Sequence, residues 1–166
     1  MKISAHDIGV EPLDALSWIE ALCLFIREDE RPLRGMAGFA DWRMCGKLSR
    51  VLMENFFKGE LSETLLLPTD GRLALPRIFA FGLGSAQALS GDRIAEALTH
   101  AGRALSRAGI QSVAMELPGA GLVAEEERVR LWTHSFAATF RGNSVAALTE
   151  RAVAKLLPEH LPSVAA

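Results

Sequence analysis

The sequence predicts an α/β fold, a three-layer α/β/α sandwich around a mixed, mostly parallel sheet. Two apolar runs of strand length, 19–26 and 78–81, each lead into a glycine-containing loop and then a helix. The loops are Arg31–Trp42 and Gly82–Ser85. Strands that alternate with helices form parallel sheets covered on both faces. Because such sheets gather loops at one edge, ligands usually bind there.

Four strands and one helix are predicted in the first half of the chain. The strands are 2–6, 19–26, 65–67 and 78–81. The last two are expected to be adjacent and joined by the loop between them. Residues 7–16 predict a connection or a short helical turn. Asp41 is predicted to cap the helix, because apolar residues follow it at helical spacing over 44–52.

One strand and three helices are predicted in the second half. The clearest helix begins within 90–92, and its apolar stripe continues to Ala108. The strand is 112–117, and the glutamates 125–127 begin the next helix, where the helix dipole favours negative charge. A final helix is predicted over 145–157.

Composition fits one globular domain comprising residues 1–166. The chain is 49% hydrophobic and has a formal net charge of −2, with 18 basic and 20 acidic residues interspersed. This balance argues against nucleic acid as a partner, because phosphate contacts need clustered Lys and Arg. Apolar segments of membrane-span or signal-peptide type are missing, so we expect a cytoplasmic protein with no membrane partner.

The sequence predicts no catalytic residue, no metal site and no cofactor. Cys23 and Cys45 lie in apolar patterns and are interpreted as reduced core thiols. The histidines have no metal-ligand spacing. No serine lies in a Gly-x-Ser-x-Gly elbow.

Three glycine-containing loops supply the candidate ligand contacts. Loop 82–85 and loop 118–121 each follow a strand, so their N–H groups could bind an anion at one crevice, although a plain turn explains the first equally well. In the third loop, Arg31 and Arg34 could bind an anion or pair with the carboxylates of 28–30. The candidate residues from these loops are Arg34, Gly35, Gly38, Gly82, Gly84, Ser85, Gly119 and Gly121.

Five segments of the chain carry a resemblance to a known family. They are Glu28–Gly35, Asp41-Trp42, Lys58–Glu60, Arg77–Gly84 and Ser112–Pro118. Together they resemble the N-terminal domain of the leucine aminopeptidase, or cytosol aminopeptidase, family, which implies a macro-domain-like fold. In that family a second domain holds two metal ions through Lys, Asp and Glu. Its signature, Asn-Thr-Asp-Ala-Glu-Gly-Arg-Leu, is absent here, so no catalytic or metal residue is carried over.

A more distant resemblance links the N-terminal segment to true macro domains. Asp7-Ile8 and Asp14-Ala15 are similar to their Gly-Asp-Ile turn and the Asp-Ala-Ile-Val that follows. In macro domains that bind ADP-ribose, the first aspartate contacts adenine, which implies Asp7 as a further ligand contact. The Asn-rich strand end and triple glycine of macro hydrolases are replaced by Phe25–Asp29, so the resemblance does not imply ADP-ribose hydrolysis.

Three functions follow from these observations. The first is a non-catalytic, stand-alone domain for interaction or oligomerisation, whose partner is a second copy or a peptidase-type protein. The alternative is a module that binds a nucleotide or ADP-ribose-like anion at the glycine loops. Metal-dependent aminopeptidase activity in this chain comes last, because none of the lysines adjoins an acidic cluster in a recognised pattern.

Overall fold

A computed structural model of the protein describes residues 1–162 and 164 and contains one six-stranded sheet. The strands are β1 (Lys2–His6), β2 (Ala21–Ile26), β3 (Thr64–Pro68), β4 (Arg77–Gly82), β5 (Ser112–Glu116) and β6 (Ser144–Leu148). Their order is β1-β6-β5-β2-β4-β3. All neighbours are parallel except β3 and β4, whose predicted adjacency is confirmed.

Helices cover both faces of this sheet, which confirms the predicted three-layer architecture. They are α1 (Glu11–Ala15), α2 (Gly35–Arg43), α3 (Lys47–Met53), α4 (Gly91–Arg107), α5 (Glu125–Ser135) and α6 (Arg151–Ala154). Helices α1 to α3 pack on one face and α4 to α6 on the other. Central strands such as β2 are buried on both faces, which explains their nearly continuous apolar sequence. In the described part of the chain, every helix is too short or too polar to cross a bilayer.

The layer of α4 and α5 is closely packed. Ser90 caps α4 by accepting a hydrogen bond from the Arg93 N–H. Gly102 lies so close to the chain after α5 that a β-carbon there would be 2.2 Å from Thr139 Oγ1. Below it, the rings of Trp132, Phe136 and Phe140 stack in series with centroids 6.0 and 5.1 Å apart.

The predicted helix over 145–157 is wrong, because its first residues form strand β6 between β1 and β5. Only Arg151–Ala154 is helical in α6. Val145 packs in the core on the α4–α5 side and Ala146 in the core on the α2–α3 side. Burial on both faces removes the alternation that marks a strand, and Ala and Leu are also good helix formers.

The helix predicted after Asp41 is two helices, α2 and α3. They are separated by a turn in which Cys45 and Gly46 have φ of 54° and 75°. Asp41 lies inside α2, and its carboxylate accepts hydrogen bonds from the N–H and hydroxyl groups of Ser49 in α3. It therefore caps the second helix from within the first. The same turn exposes Cys45, so its prediction as a core thiol is wrong, whereas that of Cys23 is confirmed.

Candidate functional site

A cleft of about 520 Å³ lies at the carboxyl edge of the sheet, where β2 and β5 are adjacent. The helix after β2 packs on one face and the helix after β5 on the other, so the chain leaves a crevice between them. Arg27 and Glu30 after β2, and residues 117–121 after β5, border the crevice. This is the edge that the sequence predicts for ligand binding.

The Glu116 carboxylate already occupies the N-terminus of α2. Its Oε2 accepts a hydrogen bond of 2.7 Å from the Met36 N–H. Gly35 makes this approach possible, because a β-carbon at that position would lie 2.5 Å from Glu116 Oε2. Gly35 also has φ of 54°, a conformation that favours glycine. The Met36 N–H, in the first turn of α2, is therefore already hydrogen-bonded to a carboxylate of the protein itself.

Two carboxyl groups of the cleft hold protons more readily than usual. Burial raises the pKa of Glu116, and the charges of Glu150 and Glu30 act in the same direction, against the Met36 hydrogen bond. Burial also raises the pKa of Glu30, although the arginines around it, Arg27 foremost, oppose this shift. Together with Glu150, they place three carboxyl groups in a cleft that Arg27 and Arg34 also line.

Arg128 connects α5 to the segments that follow β5 and β6. Its side chain is buried and donates hydrogen bonds to the carbonyls of Leu117 (2.6 Å) and Pro118 (3.3 Å). It also contacts Glu150 Oε2 at 3.3 Å. Burial would raise the pKa of Glu150, but hydrogen bonds and the Arg128 charge outweigh it, so this pKa is lowered. The Arg128 guanidinium is therefore already paired with groups of the protein itself.

Four of the predicted ligand residues border the cleft, namely Arg34, Gly35, Gly119 and Gly121. Asp7 lies instead in a separate hollow beside α1, and Gly38 borders a shallow groove described below. The remaining candidates lie outside the cleft, and local packing accounts for them. They are Gly82, Gly84 and Ser85.

The loop 82–85 packs against the loop that precedes β3. A β-carbon on Gly82 would lie 1.8 Å from the Glu60 carbonyl oxygen, so only glycine fits. The Gly84 N–H donates to the Gly59 carbonyl at 2.8 Å. Ser85 caps the short 3-10 helix Ala86–Ala88. The geometry matches the plain-turn interpretation of this loop.

One alternative for the first loop predicts that Arg31 and Arg34 pair with the carboxylates of 28–30. Neither arginine forms such an ion pair. Arg31 donates to the backbone carbonyls of Arg27, Glu30 and Lys58. Arg34 is exposed and makes no side-chain hydrogen bond or ion pair with any residue of 1–162 or 164. Its guanidinium therefore faces solvent at the mouth of the cleft.

Beside the cleft lies a shallow groove of about 540 Å³, which we call the aromatic groove. It is lined by Val10, Leu33, Arg34, Gly35, Gly38, Phe39 and Trp42. Phe39 and Trp42 are three residues apart on α2 and so share one face of the helix. Trp42 is 69% exposed. Farther along, Met53 and Phe56 are 74% and 76% exposed at the end of α3 and just beyond it.

Sequence reasoning missed Glu116 and Glu150, which line the cleft, and Arg128, which holds the segments that carry them. A carboxylate at the end of an otherwise apolar strand is the available signal for Glu116. No local pattern identifies Arg128, because an arginine next to three glutamates is typical of the solvent-exposed face of a helix. Within the described residues, no group of His, Cys, Asp and Glu side chains is arranged to hold a metal ion.

The fold and its edge cleft define an α/β/α domain of the macrodomain type. A macrodomain variant from Oceanobacillus iheyensis, solved with ADPR, is similar with a TM-score of 0.68 and 10% identity, over 93% of this chain and 87% of that one. A variant of tomato leucine aminopeptidase matches 90% of this chain and 32% of its own, with a TM-score of 0.61 and 19% identity. At these identities the likeness concerns the fold.

The chain belongs to the cytosol aminopeptidase family, whose N-terminal domain it matches over residues 22–140. A probable cytosol aminopeptidase from Geobacter sulfurreducens is 32% identical over 108 residues. That match covers 64% of this chain but 22% of the relative. A second, from Geotalea uraniireducens, is 34% identical over 73 residues, which are 44% of this chain and 15% of the relative. The chain thus spans about a fifth or less of these relatives.

Proposed function

We propose that this domain is a non-catalytic interaction module that binds a second copy of itself or a peptidase-type protein. The observation that carries the proposal is the exposed aromatic surface of the α2–α3 layer. Trp42 is 69% exposed next to the apolar side chains of the aromatic groove. Exposed apolar surface marks interaction sites, and Trp and Phe are enriched there.

Family membership supports a peptidase-type partner. The chain matches an N-terminal domain, and its curated relatives named probable cytosol aminopeptidase are several times longer than the matched segment. In such relatives, this kind of domain is covalently joined to the rest of the protein. An exposed surface on the equivalent domain is a natural place for the same contact or for assembly between copies.

The alternative, an anion-binding module, has weaker support from the cleft. Glu116 holds the first-turn amide of α2 that an anion would need, and Glu30 and Glu150 add negative charge around it. A diphosphate entering the cleft would have to displace one carboxylate and approach the other two. The backbone of Gly119 and Gly121 borders the cleft, which favours anion binding, but the carboxylates of the same cleft disfavour it.

Sedimentation velocity of the purified protein and affinity purification from its native cells test the proposal. We expect a concentration-dependent dimer, or co-purification of a polypeptide that mass spectrometry identifies as a cytosol aminopeptidase. Trp42→Glu should remove either association. Trp18→Glu is the matched control, because Trp18 is 53% exposed but precedes β2 at the opposite edge of the sheet. A monomer at all concentrations that captures no such peptidase contradicts the proposal.

A further inference from the structure

We infer that the aromatic groove and Arg34 together bind a partner segment that carries an apolar side chain beside a carboxylate. The inference rests on the proposed function and names the chemistry of the partner. Val10, Leu33, Phe39 and Trp42 supply the apolar walls. Arg34 stands on the border that the groove shares with the cleft.

The groove is a fixed feature of the fold. Gly38 lets α2 approach the preceding segment closely, because a β-carbon there would lie 2.7 Å from the Leu33 carbonyl oxygen. Leu33 is buried against α2 as a result, and it packs in the core on that side of the sheet. The wall formed by Leu33 and the face formed by Phe39 and Trp42 are therefore held together before any partner binds, which lowers the entropic cost of binding.

Charge selects the polar half of the partner. Two ion pairs of neighbouring segments leave Arg34 out, since Arg27 pairs with Asp29 and Arg43 pairs with Asp14. Glu30 lies within the electrostatic field of Arg34 but does not form an ion pair with it. An exposed guanidinium offers several donors in a planar fork that matches a carboxylate. A carboxylate on the partner would therefore complete the positive end of the groove.

The carboxylates of the cleft set the orientation of the bound segment. A partner carboxylate placed toward Glu116 and Glu30 would meet like charge, whereas at Arg34 it would meet opposite charge. The apolar side chain then lies on Phe39 and Trp42, away from the cleft. Such electrostatic complementarity contributes more to specificity than to affinity.

NMR titration of the full chain with two small probes tests this chemistry. N-acetyl-phenylalanine carries a ring and a carboxylate, and N-acetyl-phenylalaninamide carries the same ring without the charge. We expect both probes to shift the Trp42 indole N–H and the amides of 33–42. The carboxylate probe should bind about two- to fivefold more tightly, the range for an exposed ion pair.

Variants separate the two halves of the site. Arg34→Gln should abolish the preference for the carboxylate while both probes still bind. Trp42→Ala should weaken both probes, and Trp18→Ala should weaken neither. Equal affinity of the two probes for the unmodified protein would overturn the role of Arg34. Binding of inorganic phosphate at Arg34 without any shift of Trp42 would indicate a small-anion site and overturn the inference.

Failure of this inference is distinguishable from failure of the proposed function. If no probe shifts Trp42 or Arg34 while sedimentation still detects a Trp42-dependent complex, the surface binds a partner of other chemistry and only this inference is overturned. If the probes bind as expected but neither a dimer nor a peptidase complex forms, the groove chemistry is supported and the proposed function fails.

Discussion

The two helical layers of this domain differ in how completely they bury their side chains. Helix α4 has 17 residues, a serine cap and six buried positions, and α5 buries Trp132 completely. Helices α2 and α3 have 9 and 7 residues, are interrupted by a left-handed turn, and leave Trp42 and Met53 largely exposed. The α4–α5 layer therefore buries its tryptophan completely, whereas the α2–α3 layer buries one face and leaves large apolar side chains exposed to a partner.

The largest expected effect contrasts two tryptophans. Trp132→Ala should lower the free energy of unfolding by about 3–5 kcal/mol, because it removes a fully buried ring that stacks on Phe136 and donates its indole N–H to Met115 Sδ. Trp42→Ala should change it by less than about 0.5 kcal/mol, since that ring is mostly exposed. Urea unfolding measures both, and similar losses for the two variants would contradict the division between layers.

A second prediction concerns close packing in the α4–α5 layer. Gly102→Ala should destabilise the fold by about 1–3 kcal/mol, because the new methyl group would approach both Thr139 Oγ1 and the Phe136 carbonyl. Gly9→Ala is the matched control, since nothing lies within 4 Å of its added carbon. Thermal unfolding of both variants tests this. If the Gly102→Ala protein is as stable as the control, the chain after α5 can move away from α4 without loss of stability, and the close packing is not required.

Capping gives a smaller contrast between the layers. Ser90→Ala should cost about 1 kcal/mol, because it removes the acceptor for the Arg93 N–H at the start of α4. Arg34 precedes α2 but has no acceptor, and Glu116 from β5 serves the first turn instead. Arg34→Gln should therefore leave the free energy of unfolding within about 0.5 kcal/mol of the original value. A larger loss of stability for Arg34→Gln than for Ser90→Ala in urea unfolding would contradict this interpretation.

The smallest expected effect is a change in pH dependence. Because the pKa of Glu116 is raised in the folded state, its contribution to stability is fully present below about pH 4.3 and is lost as pH rises through the raised value. Glu116→Gln cannot titrate, and its amide oxygen can still accept from Met36. The stability of this variant relative to the unmodified protein should therefore increase from acid to neutral pH in urea unfolding series. If the difference in free energy of unfolding between the two proteins stays constant with pH, the raised pKa of Glu116 is contradicted.

Most of the fold could be predicted from sequence where periodicity or a turn was distinctive. The apolar stripe of α4 with Ser90 before it, and the apolar run of β2, are such cases. Strand β6 could not be recognised, since Val145 to Leu148 is buried on both faces and carries no alternation. The break between α2 and α3 was missed although Gly46 marks it, because the apolar spacing over 44–52 continues across the turn.

The site was less predictable, because its residues meet only through the tertiary structure. A glycine in a loop marks close packing as readily as the border of a cleft, and Gly82 and Gly119 illustrate the two cases. Glu116 and Met36 are 80 residues apart in sequence, yet they share a hydrogen bond. Arg128 meets Leu117, Pro118 and Glu150 only because α5 folds back onto the sheet. No local pattern encodes such contacts.

The position of β6 has a consequence for folding during synthesis. Strand β1 pairs with β6, and β6 also pairs with β5, so among the strands of residues 1–162 β1 joins the sheet only through β6. The ribosome releases β1 long before β6 is available, so residues 2–6 must wait until nearly the whole domain has been translated. Pairing over such a sequence distance slows folding and leaves an apolar strand edge temporarily uncovered. Closure of this side of the sheet therefore depends on the arrival of β6.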